Sequence, residues 1–120
     1  MKKLIVMVLV FLPLTAHAFD SWDRTDKVLG GVYLVATAMD WRQTVYIAHH
    51  PDKYYEMNRI LGEHPSEASV NQYFLASVAV KLTVAHILPS KWRKIWLGAM
   101  IGSSTALVVH NNSIGIKFEW

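Results

Sequence analysis

Apolar positions gather into two runs near the C-terminal end, 73–88 and 95–109, on either side of the short basic turn Pro89-Ser90-Lys91-Trp92-Arg93-Lys94. Two such runs joined by so short a connection predict an antiparallel helical hairpin. In the second run the only polar side chains are Ser103, Ser104 and Thr105. A helix lying against water carries an apolar stripe and a charged opposite face. This one has no charged face, and hydroxyls that bond their own backbone are inexpensive in lipid. The pattern predicts two membrane helices, at about 67–88 and 91–110. Pro65-Ser66-Glu67 supplies a start signal, Pro89 a stop, and Ser90 is the expected cap of the last helix. Trp92 and Trp96 beside basic residues suit an aromatic belt.

Upstream, the chain is nearly all apolar from 28 to 39 and runs on through Asp40-Trp41-Arg42-Gln43-Thr44 with no proline before Pro51. One helix over about 25–49 follows, expected as a third membrane helix. Ser21 or Thr25 is its expected cap, with Asp20, Asp23 and Asp26 favourable against its N-terminal dipole. Tyr33, Thr37, Asp40 and Thr44 recur at i, i+4, i+7 and i+11, so one face of this helix is polar. That face, with His86 from the next helix, is the candidate wall of a polar pocket. The segment 49–69 is a connector punctuated by Pro51 and Pro65, with a short helix expected over about 52–61 and closed by Gly62.

The first eighteen residues read as a targeting segment. Met1-Lys2-Lys3 is a positive start, 4–14 is apolar, and Ala16-His17-Ala18 places small residues where signal peptidase reads them. The run is short for a membrane span, which needs about 20 apolar residues. Cleavage after Ala18 is expected, leaving one helical membrane domain over 19–120.

Composition narrows the function classes. The chain is 52% hydrophobic and 18% charged, against about a quarter charged in ordinary soluble domains. It has no cysteine, which excludes disulfides, thiolate metal sites and a cysteine nucleophile. A net charge of +3 without any long Lys/Arg run gives no nucleic-acid footprint. No nucleophile elbow, catalytic triad or Gly-rich phosphate loop occurs. An enzyme is therefore not expected, and neither is a cofactor. The C-terminal 114–120 alternates and ends on Trp120 like the last strand of an outer-membrane barrel, but no repeated alternating segments precede it.

Two charges fall near the middle of their helices, Asp40 and Lys81. A charge at the bilayer centre costs roughly 2.5–3.5 kcal/mol, which an Asp40–Lys81 ion pair would reduce. Such a pair reads first as a structural clamp and secondly as part of a relay with His86. In the connector, His49, His50, Asp52 and His64 are weak metal candidates, because they lack any known ligand spacing. Gly98 and Gly102 form a GxxxG spacing that lets another helix approach, within the monomer or in a second copy.

Asp40-Trp41-Arg42-Gln43-Thr44, followed by Glu56-Met57-Asn58-Arg59-Ile60-Leu61-Gly62, resembles a pattern of small bacterial and phage membrane proteins of unknown function. In that pattern an Asp-x-x-x-Thr precedes Glu-x-Asn-Pro-[Leu/Ile]-x-Gly and two apolar helices; Arg59 stands where the pattern has Pro. The resemblance implies a multi-helix protein of the bacterial inner membrane, with Glu56 and Asn58 as a connector motif, and implies no activity. The reading is an all-α, export-targeted membrane bundle, a non-enzymatic structural component whose partners are the lipid bilayer and either itself or another membrane protein. The alternative is a small transporter-like or metal-handling protein that uses Asp40, Lys81 and His86.

Overall fold

The computed structural model describes residues 19–120; the expected signal peptide at 1–18 lies outside them. The described residues form three α-helices and no strand: α1 (Arg24–His49), α2 (Glu67–Ile87) and α3 (Ser90–Ser113). The all-helical class is as expected.

The caps show how local chemistry sets the boundaries. Asp23 starts α1, not Ser21 or Thr25: its carboxylate accepts the Asp26 amide at 2.8 Å, and the Asp26 carboxylate accepts the Asp23 amide at 3.1 Å. This reciprocal box satisfies two of the donors that a helix start leaves orphaned. The helix stops before Pro51, whose ring disfavours helical backbone at the preceding residue. Ser66 caps α2 as expected, accepting the Ser69 amide at 3.1 Å. Ser90 does not cap α3. Its amide is instead taken by the Asp20 carboxylate at 3.0 Å, and its hydroxyl accepts from Lys94 at 2.7 Å.

α1 is the central element and packs on both other helices, whereas α2 and α3 touch each other little. One core cluster joins Tyr33, Ala85 and Leu97 near the hairpin turn; a second joins Val45, Val70 and Phe74 near the connector. Between the clusters the weak α2–α3 contact leaves a cleft floored by α1.

The expected short helix at about 52–61 is absent; the segment is a chain of turns. The reason is local competition for backbone donors. The Glu56 carboxylate accepts the Asn58 amide at 3.1 Å, and the Asn58 side chain accepts the Ile60 amide at 3.0 Å. Gly62, at φ +83°, turns the chain so that the Glu56 amide reaches the Glu63 carbonyl at 2.8 Å. The C-terminal tail folds back on α1. Arg42 and Glu119 exchange backbone and side-chain hydrogen bonds, and Ile116 is buried.

Among the described residues no helix is long and apolar enough to cross a membrane. This corrects the expectation of two such helices and a third. The cause is visible in the sequences: Asp40, Arg42 and Gln43 interrupt α1, Asn71, Gln72, Lys81 and His86 interrupt α2, and α3 begins and ends in polar residues.

At the connector end His49 ties three segments together, with Nε2 3.0 Å from Glu67 and Nδ1 3.6 Å from Glu119. The hydrogen bond to Glu67 is the main cause that holds its pKa above the ordinary value of about 6.5. A pKa raised by folding contributes stability that is complete below about 6.5 and is lost as pH climbs through the raised value. The melting-temperature gap between the wild type and His49→Gln is therefore expected to be widest at mildly acid pH and to close on passing upward through that window. A gap that widens with pH would contradict the assignment.

Candidate functional site

The cleft between α2 and α3 is a cavity of about 580 Å³, closed on one side by the connector. α1 contributes Thr37, Asp40 and Thr44, spaced to lie along one face as the sequence periodicity requires. α2 contributes Tyr73, Ser77 and Lys81; α3 contributes Ser103, Ser104 and His110; the connector contributes Tyr54, Glu56 and Asn58. Six residues singled out by sequence thus line one space: Thr37, Asp40, Thr44, Glu56, Asn58 and Lys81. Glu56 and Asn58 arrive there because the turn they build from their own side chains folds the connector across the cleft.

The cavity brings Asp40 and Lys81 together without pairing them. Among the described residues neither charged group makes an ion pair or a side-chain hydrogen bond. Both are partly buried. Thr44 spends its hydroxyl on the Asp40 backbone carbonyl at 2.9 Å, the i−4 bond typical of helical threonine. Thr37 lines the cavity, but its hydroxyl oxygen is sealed from that space and has no hydrogen-bond partner among the described residues. The Tyr33 hydroxyl, one turn earlier, is in the same condition, but its ring belongs to the core cluster with Ala85 and Leu97. Unpaired buried polar atoms are rare and each asks for an explanation.

Behind the cavity, Gln43 and Asn111 form a buried link that sequence reading did not find. Gln43 donates to the Val108 carbonyl at 3.1 Å and accepts from the Asn111 amide at 3.2 Å, joining α1 to α3. No periodicity marks these two residues out from other amides.

The opposite end of the bundle holds a second polar centre, also missed. Arg93, which the sequence places in an exposed-looking basic turn, is fully buried. Its guanidinium donates to the carbonyls of Ala85 (2.6 Å), His86 (3.2 Å) and Leu88 (3.0 Å), which close α2. It also donates to the Asp20 carbonyl at 2.6 Å and to the Asp26 carboxylate at 3.0 Å, and sits over the Trp22 ring. Lys94 reaches Asp23 and Asp26, each at 2.8 Å. Burial alone would raise the Asp26 pKa. The hydrogen bonds from Lys94, the Asp23 amide and Arg93 outweigh it and hold the carboxyl below its usual range. Sequence signals did exist, with Asp23 and Asp26 at one helix start and Arg93 and Lys94 at another, but nothing local says that the two meet.

Other candidates go elsewhere. His86 lies outside the cavity, accepting from the Trp22 indole at 3.3 Å and edge-on to Phe19. It follows Lys81 by five residues, which turns it about 140° around the helix. His50 stacks on Tyr46 and bonds its carbonyl; Asp52 and His64 are exposed. Among the described residues no three His, Asp or Glu side chains gather as a metal site. Gly98 and Gly102 are exposed with open space in front of them, so they serve no packing within the bundle. Comparison with protein-family models, curated proteins and solved structures finds no match.

Proposed function

We propose that this protein is a non-catalytic helical component seated in lipid by the assembled outer surface of its bundle, with a polar binding cavity inside. The observation that carries the reading is the number of large apolar side chains left on the outside of a bundle whose mostly apolar core also buries several polar groups. Arg93, Asp26, Gln43, Thr44, Thr37, Ser104 and Asn111 are buried, whereas Val28, Val32, Val35, Leu75, Val80, Ile95 and Val109 are exposed; Val35 and Val109 keep 62% and 64% of their surface. Water-soluble bundles seldom bury this many polar groups, and they seldom leave large apolar patches in solvent. In lipid, inward polar and outward apolar residues are the expected order. A hydropathy average over one helix mixes its two faces, so inward polar residues lower it without touching the surface that lipid would meet.

The test is extraction. Membranes from cells that make the full chain are washed with alkaline carbonate, and the protein is expected to stay in the pellet until detergent is added. Release of folded protein into the wash would refute lipid seating.

A further inference from the structure

We infer that the cavity is a binding site for a small zwitterion, its ammonium group held by Asp40 and Glu56 and its anionic group by Lys81. Two independent features of the cavity lead there. First, Asp40 and Lys81 are opposite charges on the walls of one space that leave each other unpaired. Partial burial of a lone charge is unfavourable, and each would be relieved by a ligand of the opposite sign. A molecule carrying both signs relieves both at once. Second, Glu56 uses one carboxylate oxygen on the Asn58 amide and keeps the other uncommitted, so a second acceptor stands on the wall with Asp40. An ammonium has three donors and no acceptor, which suits two carboxylates.

The rest of the wall agrees with a compact polar head carrying some carbon. Tyr73, Phe74, Met100 and Leu107 line the cavity beside the charges, the mixed composition of small-molecule sites. At about 580 Å³ the space exceeds a bare ammonium ion or inorganic phosphate many times over and falls within the usual range of ligand pockets. The same chemistry is offered by a free zwitterion and by the head group of an aminophospholipid.

Binding is measured by calorimetry on the full chain in detergent micelles, using glycerophosphoethanolamine as the zwitterion. Ethanolamine and glycerol phosphate serve as its separate halves. The zwitterion is expected to bind at least tenfold more tightly than either half. Asp40→Asn should erase its advantage over glycerol phosphate, and Lys81→Met its advantage over ethanolamine. Adding phosphatidylethanolamine to the micelles separates the sources: competition identifies the lipid head group, and undiminished binding identifies a free zwitterion. Equal or absent binding of the zwitterion and its halves by the wild type overturns the inference without any variant. So does an advantage that survives Asp40→Asn, or strong coupling of Asp40→Asn with Lys81→Met in the melting of the ligand-free protein, which would mean that the two close on each other. The extraction test does not depend on the cavity, so failure of one reading leaves the other standing.

Discussion

Arg93→Met should destabilise the bundle by about 3–5 kcal/mol, the range for breaking a buried ion pair from one side. Methionine fills much of the volume and supplies none of the donors. The Asp26 carboxylate is then left with Lys94 as its only cation beside the Asp23 amide, and the terminal carbonyls of α2 lose the cation that completes them. Arg93→Lys should recover only part of the loss. An ammonium has three donors and no fork, whereas the guanidinium here reaches six acceptors on three segments. Reversible unfolding in mixed micelles gives the values. A loss under 1 kcal/mol for the methionine variant would mean that water reaches this end and the network is ornamental.

Val35→Asp is expected to have the next largest effect, and its size reports the surrounding solvent. Val35 is exposed near the middle of α1 and faces away from both other helices. In lipid an aspartate at that depth should cost roughly 2.5–3.5 kcal/mol and lower the inserted fraction in a translocon assay. In water valine and aspartate have similar helix propensities and an exposed site tolerates either, so the change would stay within about 0.5 kcal/mol. Aspartate is the informative choice because a lysine could stretch its stem towards an interface. A neutral outcome would place this face in water and remove the support for lipid seating.

The parts of the fold that could be read in advance are those governed by neighbours in sequence. Pro65-Ser66 and Pro89 mark α2 because proline and a capping hydroxyl act within one turn. The polar face of α1 was legible from its spacing, and Asp40, Thr37 and Thr44 do share the cavity. What escaped was decided across the chain. Arg93 looked like a solvated turn residue because its acceptors, Asp20, Ser21 and Asp26, lie some seventy positions away. Ser90 lost its capping role to Asp20 for the same reason. The connector misled in the opposite way: its composition allowed a helix, but Glu56 and Asn58 satisfied nearby amides themselves. Hydropathy along the chain could not separate the inward face of α2 from its outward one, and so it could not say which polar residues would end up inside.

The contact between Asp26 and Arg93 spans 67 residues, and this imposes an order on biosynthesis. A ribosome adding about 5–20 residues per second delivers Arg93 roughly 3–13 s after Asp26. Throughout that interval the first helix carries a carboxylate whose buried partner does not yet exist, so its N-terminal turn must wait in an aqueous compartment. The central helix is made first, but its N-terminal end locks last, when the closing hairpin delivers its arginine.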